Sequence, residues 1–366
     1  MTARRPAVSV VLCTYNRADC VGSALAALLA QTGSIDYEVI VVDNNSSDGT
    51  APVVRNAADR AGGRIRYVFE WQQGLSHARN RGIREARAPI IAFTDDDVCV
   101  SHDWIRQIVQ TFDAYPDIDY VGGRVLPRWL QPPPPWLTAA HWSPLALQDY
   151  GTDLFRTSRD RAICLVGANL ICRRAVFDRV GVFAPALGRI RDGIGSTEDH
   201  DMQLRMWKAD LCGLYVPDIA CIADVTPDRM VKSYHRRWHR GHGRHCAAMR
   251  LRELVPADTG PLSEPADIVL LFGSPGYVYA DLVYFAKRWF RALLRREDSF
   301  FYANKVRHIR TYLQARRRLR ATRGIRAFVL ELIQFAAAYR RKRRAHRSAS
   351  GIKVRPEVRL PRREPR

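Results

Sequence analysis

Ile90-Ile91-Ala92-Phe93-Thr94-Asp95-Asp96-Asp97 carries four apolar residues through a threonine into three adjacent carboxylates. The apolar part reads as a short buried strand, and the carboxylates emerge where that strand ends. In open α/β sheets the carboxyl ends of the strands are where ligands bind. Three neighbouring aspartates repel one another, and a fold keeps them most readily by supplying a cation. Hard oxygen ligands suit Mg²⁺ or Mn²⁺, which commonly take one or two carboxylates plus substrate phosphates. A metal–diphosphate site is one reading. The other is a solvated acidic turn ahead of the helix that starts near Ser101.

Working outward, Val8–Cys13 is a β-branched, apolar strand, followed by the turn Thr14-Tyr15-Asn16-Arg17 and a helix over 18–31. Tyr37–Val42 is a second strand. It runs into Asp43-Asn44-Asn45-Ser46-Ser47-Asp48-Gly49-Thr50 and a helix from about Ala51. Strand, helix, strand, helix in this order predicts an α/β fold with a mostly parallel central sheet flanked by helices. Asp43 is placed to accept bonds from a ribose or a base, or else to close an Asx turn with Asn44 and Ser47. No G-x-G-x-x-G follows the first strand and no G-x-x-x-x-G-K-[ST] occurs, which argues against a nicotinamide dinucleotide and a P-loop NTPase. Ile65–Glu70 is a third strand. After it, Ser76 is a candidate cap for a helix carrying Arg79, which reads as a phosphate or base contact or as a plain surface arginine.

Four segments, V-S-V-V-L-C-T-Y-N-R (8–17), V-V-D-N-N-S-S-D-G-T (41–50), G-L-S-H-A-R-N-R-G (74–82) and F-T-D-D-D (93–97), together resemble the family 2 glycosyltransferases of GT-A fold. The resemblance implies an inverting transfer of sugar from a nucleotide-diphosphate sugar. It implies that Thr14, Tyr15, Asn16, Arg17, Asp43, Arg79, Asp95 and Asp96 lie at the nucleotide sugar. It also implies that Asp95 and Asp97 match the two acids of the family's D-x-D motif and hold Mg²⁺ or Mn²⁺.

Farther along, Tyr120–Val125 reads as a strand whose Gly122-Gly123 permits close backbone approach. Leu130–Trp136, with four prolines, is a stiff connector. Residues 137–161 read as a variable loop. Trp136, Trp142 and Tyr150 are candidates for stacking on sugar or for local packing. Val166–Ile171 reads as a strand. Thr197-Glu198-Asp199 opens a helix in which Thr197 can cap and the acids suit the dipole. The family resemblance adds that Glu198 and Asp199 match the catalytic acid pair, with Asp199 the general base. Leu214–Pro217 reads as an edge strand. In the cation-rich run 233–244, Arg237 and Trp238 match the end of the Q-x-x-R-W motif of processive relatives and are candidate donor contacts. Tyr234 stands where that motif has glutamine, which favours single-sugar transfer.

The formal net charge is +21 over 366 residues. Residues 1–285 hold 32 basic and 32 acidic residues and residues 286–366 hold 26 and 5, so the whole excess lies in the C-terminal part. Val278, Leu282, Phe285, Trp289 and Leu293 make an apolar stripe beside Arg288, Arg291 and Arg295, and a second such segment runs from Ile325 to Tyr339. Basic amphipathic helices suit an anionic membrane surface or pack on a domain with one face solvated. The expected organisation is a catalytic domain over 1–230, with its nucleotide half to about 130. A basic helical extension over 231–345 and a disordered tail over 346–366 follow. The eight cysteines show no C-x-x-C spacing and read as buried thiols of a reducing compartment. Residues 1–7 lack the apolar core of a signal peptide, and no apolar run is long enough to span a bilayer. The expectation is a cytoplasmic enzyme at the inner face of a membrane, acting on a saccharide or lipid-linked acceptor. Two rivals are a sugar nucleotidyltransferase, which wants a glycine-rich loop where Thr14–Arg17 stands, and a nucleic-acid-binding tail. The second leaves the acidic sites of the neutral part unexplained, so nucleic acid is not an expected partner.

Overall fold

The computed structural model describes residues 5–321, except 192, 194–196, 256–259, 264–267 and 269. In chain order the elements are β1 (Val8–Thr14), α1 (Val21–Leu29), β2 (Tyr37–Asp43), α2 (Thr50–Arg60), β3 (Ile65–Phe69), α3 (Leu75–Glu85), β4 (Ile90–Asp95), β5 (Val98–Val100), α4 (Trp104–Ala114), β6 (Tyr120–Gly122) and β7 (Val125–Trp129). They continue with β8 (Phe155–Thr157), β9 (Leu170–Arg173), α5 (Arg174–Val180), α6 (Glu198–Lys208), β10 (Gly213–Tyr215), β11 (Cys221–Val225), α7 (Lys232–Ala248), α8 (Leu251–Leu254), α9 (Gly276–Leu294) and α10 (Phe300–Ala321). Both segments expected beyond Ala321, the second amphipathic stretch and the tail, lie outside the described residues.

An eight-stranded sheet runs β3-β2-β1-β4-β9-β6-β10-β8. Its first four strands are parallel, and β9 enters antiparallel to β4 and β6. The apolar, β-branched strands β1 and β2 are buried at every residue, as a sheet covered on both faces requires. Period-two alternation divides β1 between two cores. Val8, Val10 and Leu12 pack with Leu25, Leu28, Trp104 and Ile108, whereas Val11 and Cys13 pack with Ala78, Ile83, Phe93, Phe177 and Met202. Helices therefore cover both faces. The register sets Thr14 against Asp43 and Cys13 against Asp95, so the loops after β1, β2 and β4 open on one rim of the sheet.

Helix α6 has two buried faces. Met202 and Met206 join the sheet-side core, and Leu204 and Trp207 join a third core built from α7 to α10, including Cys246, Leu251, Val278, Ile309 and Tyr312. Trp207 also donates to the Tyr120 hydroxyl at 2.7 Å. The C-terminal helices are thereby packed directly on the helix that begins with Glu198-Asp199.

Several local expectations change. Strand β10 is not an edge: it lies between β6 and β8, and Pro217 falls beyond its last residue. The covering strand β8 comes from the segment expected to be a variable loop, which also buries Leu137, His141, Leu145, Leu147 and Gln148. The strand expected from Val166 starts at Leu170, after a tight turn at Gly167–Asn169. A small second sheet, β5-β11-β7, holds the chain that leaves the aspartate cluster. At Gly123 a Cβ would lie 1.9 Å from the Ile219 carbonyl oxygen, so the glycine is required by close backbone contact. No disulfide joins the cysteines among the described residues. Among those residues, no helix is long and apolar enough to cross a membrane.

Candidate active site

A cleft of about 1080 Å³ brings together residues far apart in the chain. Its walls include Arg79, Asp95, Asp97, Arg189, Glu198, Asp199, Arg229 and Trp238. Asp95 closes β4, and its carboxylate lies 3.5 Å from the Arg79 guanidinium. Asp97 faces Arg229 at 3.3 Å. Burial raises the Asp97 carboxyl pKa, with Arg229 opposing the shift and the nearby Asp95 charge adding to it. Asp96 does not line the cleft. It is buried toward Arg17, 3.8 Å away, and its pKa is pushed up to about 7 by burial and by the Asp97 charge. Asp95 and Asp97 line the same cleft, and their hard oxygen donors suit a Mg²⁺ or Mn²⁺ ion.

On the other side of the Arg79 guanidinium, α6 adds its first turn to the cleft. Thr197 occupies the N-cap position but makes no side-chain capping bond, and its hydroxyl is buried with no hydrogen-bond partner among the described residues. The two acids that follow have unequal surroundings. Glu198 is 2% exposed and accepts from Arg79 at 2.6 Å. Asp199 is only part-buried and accepts the backbone N–H of Gly167 at 3.1 Å and that of His200 at 2.8 Å. Burial raises its pKa, while the Arg79 charge and the two N–H donors hold the shift back. The Gly167 turn serves both groups: a Cβ there would lie 2.9 Å from an Arg79 Nη, so the missing side chain lets the guanidinium sit close against the turn. His200 also lines the cleft.

Arg79 is thus not a surface arginine. It is 3% exposed, stacks over Phe183 at 5.3 Å and ties α3 to α6 and β4. Burial works against its charge, and the carboxylates of Glu198 and Asp95 more than offset that, holding its pKa above the usual value. Ser76, expected to cap α3, lies inside the helix and donates to the Ala184 carbonyl, because Gly74 at φ 140° makes the turn.

The remaining donor-side candidates form the rim beside this cleft. Asn16 at φ 51° accepts the Ser47 N–H at 2.8 Å, its own N–H donates to the Ser46 hydroxyl at 2.9 Å, and the Arg17 N–H donates to Thr50 at 2.9 Å. These bonds lock the loop Thr14-Tyr15-Asn16-Arg17 to the loop after β2. Asp43 is 1% exposed and accepts the Ser46 N–H at 2.9 Å and the Tyr67 hydroxyl at 2.8 Å, so its carboxylate braces its own loop three residues on, one residue beyond Asx-turn spacing. Arg237 is exposed and does not line the cleft. Trp238 does, as do Trp142 and Tyr150, whereas Trp136 packs against His141, His235 and Phe300. Sequence reasoning passed over Arg229 and Arg189. Arg229 sits in a short turn at Pro227–Met230 with no local motif to mark it, and only the fold sets it against Asp97.

Residues 9–181 match the sequence profile of Glycosyl transferase family 2. That segment belongs to glycosyl transferase family 2. The family 2 match takes in the loops of β1, β2 and β4 and stops before α6. Glycosyltransferase AglE of Haloferax volcanii is 36% identical over 126 residues, 34% of this chain and 41% of that protein. The glucosyl-dolichyl phosphate glucuronosyltransferase of the same organism is 28% identical over 187 residues, 50% of this chain and 58% of that protein. The chain thus spans about half the length of these relatives. The mannosyltransferase PcManGT from Pyrobaculum calidifontis, solved with GDP-Man and Mn²⁺, is similar in structure at a TM-score of 0.51 and 20% identity, over 92% of this chain and 81% of that one. The shared architecture is the GT-A fold.

Proposed function

We propose that this chain transfers a sugar from a nucleoside-diphosphate sugar to an acceptor hydroxyl with inversion at the anomeric carbon. The observation that carries the reading is that Asp199, oriented by the Gly167 N–H, shares one cleft with Asp95 and Asp97. Asp95 and Asp97 would hold Mg²⁺ or Mn²⁺, which neutralises charge growing on the diphosphate leaving group. PcManGT, a structural neighbour, was solved with such a donor and Mn²⁺. The rim loop Thr14–Arg17 and the cleft arginines Arg189 and Arg229 supply the cationic surroundings a diphosphate needs. Asp199 removes the acceptor proton as the acceptor oxygen bonds to the anomeric carbon. The bond to the diphosphate oxygen breaks on the opposite face, and its electron pair leaves with the nucleoside diphosphate. A carboxylate whose pKa is raised by burial is a stronger base for that proton. The Glu198–Arg79 pair holds this helix end in place.

The C-terminal helices form the acceptor side of the cleft in this proposal, since Trp238, His239, Val278 and Phe285 line it. A lipid-linked saccharide is the acceptor class favoured here. The support is a relative named for a dolichyl phosphate substrate, together with α9, which exposes Val283, Tyr284, Phe290, Leu293 and Leu294 among its arginines. Co-sedimentation with anionic but not neutral vesicles is the expected behaviour, and equal recovery from both would remove the membrane part of the proposal.

The test of the chemistry is Asp199→Asn. Transfer to a lipid-linked saccharide extract, followed by nucleoside diphosphate release, is expected to fall by about 10²–10⁴-fold while donor binding is kept. Product from wild-type protein should carry the inverted anomeric configuration by NMR. Wild-type turnover in the Asn variant would end Asp199's role as base.

A further inference from the structure

Helix α7 carries His235, His239, His242 and Cys246 at successive spacings of four, three and four, which is one face of a helix. The arginines of the same run, Arg236, Arg237, Arg240 and Arg244, are exposed. The histidine–cysteine face is turned inward, onto α10. There His308 meets it: the rings of His242 and His308 have centroids 5.2 Å apart. The contact depends on Gly243, where a Cβ would lie 2.6 Å from the His308 carbonyl oxygen, so a side chain there would push the helices apart.

One ligand atom each from His242, Cys246 and His308 lies within 4.8 Å of the others. The Cys246 sulfur is 3.5 Å from Nδ1 of His242. A tetrahedral zinc with Zn–S of about 2.3 Å and Zn–N of about 2.05 Å would set sulfur and nitrogen about 3.6 Å apart. The pair is therefore at ligating separation already. Trp238 stacks flat on the His242 ring at 4.3 Å and 13°, fixing its plane. Cys246 is 1% exposed, yet all three residues border the cleft.

We propose that His242, Cys246 and His308 bind a Zn²⁺ ion that staples α7 to α10 and fixes one wall of the cleft. Two imidazoles and a thiolate are a borderline-soft donor set, which selects zinc over the hard ions that suit Asp95 and Asp97. Each imidazole gives a nitrogen lone pair. The cysteine thiol loses its proton to solvent and binds as thiolate, so one proton is released per ion bound. Three protein ligands leave a fourth position for water or for His239, which borders the same cleft. The site is separate from the carboxylate pair and does not depend on the glycosyltransferase reading.

The experiment uses untagged full-length protein, stripped with chelator and titrated with Co²⁺ as a spectroscopic stand-in for Zn²⁺. One equivalent is expected to produce visible bands of tetrahedral cobalt with a thiolate-to-cobalt charge-transfer band, and stoichiometric Zn²⁺ should abolish both. Cobalt at the carboxylate site has only oxygen donors and gives no thiolate band. Cys246→Ser should lose the charge-transfer band. In the wild type Zn²⁺ should raise the melting temperature more than the same concentration of Mg²⁺. Absence of a thiolate band in the wild type, its persistence in Cys246→Ser, or equal stabilisation by Zn²⁺ and Mg²⁺ would each overturn the proposal. The wild-type titration decides even if the serine variant fails to fold.

Discussion

Replacing Arg79 with methionine tests whether the candidate site is braced as described. The guanidinium is 3% exposed, bonds Glu198 at 2.6 Å and lies 3.5 Å from Asp95. Methionine keeps most of the volume and the contact with Phe183 but removes the Arg79 charge from beside the Glu198 carboxylate, which is 2% exposed. Removing one member of a buried pair costs about 3–5 kcal/mol, because the survivor is an uncompensated charge in a poorly solvated place. With an unfolding entropy of about 2.1 cal/mol/K per residue over roughly 300 ordered residues, that loss lowers the melting temperature by about 5–8 °C. The companion variant is Arg79→Met with Glu198→Leu, which replaces the pair by apolar groups and should recover most of the loss. Urea unfolding followed by tryptophan fluorescence measures all members of the cycle. Loss of less than about 1 kcal/mol in the single variant, or a double variant as unstable as the sum of the singles, would refute the brace.

Gly123→Ala should be severely destabilising, because the new methyl would meet the Ile219 and Val216 carbonyl oxygens at 1.9 and 2.5 Å and β6 would have to shift. A melting temperature within a degree of wild type would contradict the close approach. His235 is buried and has its pKa lowered to about 4, first by burial and then by the His141 charge. Its unfolded pKa is higher, so the unfolded chain binds more protons between about pH 4 and 6.5. The stability it contributes is complete above that window and is lost as pH falls through it. The slope is at most about 1.4 kcal/mol per pH unit, reduced where water reaches the ring. His235→Gln should flatten the dependence of melting temperature on pH between 6.5 and 4, and an unchanged slope would contradict the assignment.

How much of this was legible in the chain follows from how local each signal is. Strands β1, β2 and β4 announced themselves because they are buried on both faces and their apolar runs need no partner to be recognised. Asp95 and Asp97 are marked only by the resemblance to the D-x-D motif, because β4 ends at Asp95 and the next two aspartates lie in the turn to β5, where no period sorts them. Strand β8 was invisible, because three residues of mixed polarity become a strand only once β10 offers an edge. Arg79 read as a nucleotide contact or a surface arginine, and its place as a buried brace was equally hidden. It depends on Glu198, 119 positions away in sequence. Asp43 lies nearer its local reading, since its carboxylate bonds back into its own loop, at the Ser46 N–H. The run 233–244 read only as rich in cations, with Arg237 and Trp238 as candidate donor contacts. Packing on α10 sorts it into a buried histidine face and an exposed arginine face.

The central claim is that Asp95 and Asp97 hold a divalent ion at which a nucleoside-diphosphate sugar binds. It is tested most directly by the melting temperature of purified protein against a panel of UDP-, GDP-, dTDP- and CMP-sugars, with and without Mn²⁺, in wild type and Asp97→Asn. The account predicts a stabilisation with one nucleotide class that requires Mn²⁺ and disappears in the variant. Stabilisation that is indifferent to Mn²⁺, or that survives Asp97→Asn, would contradict it.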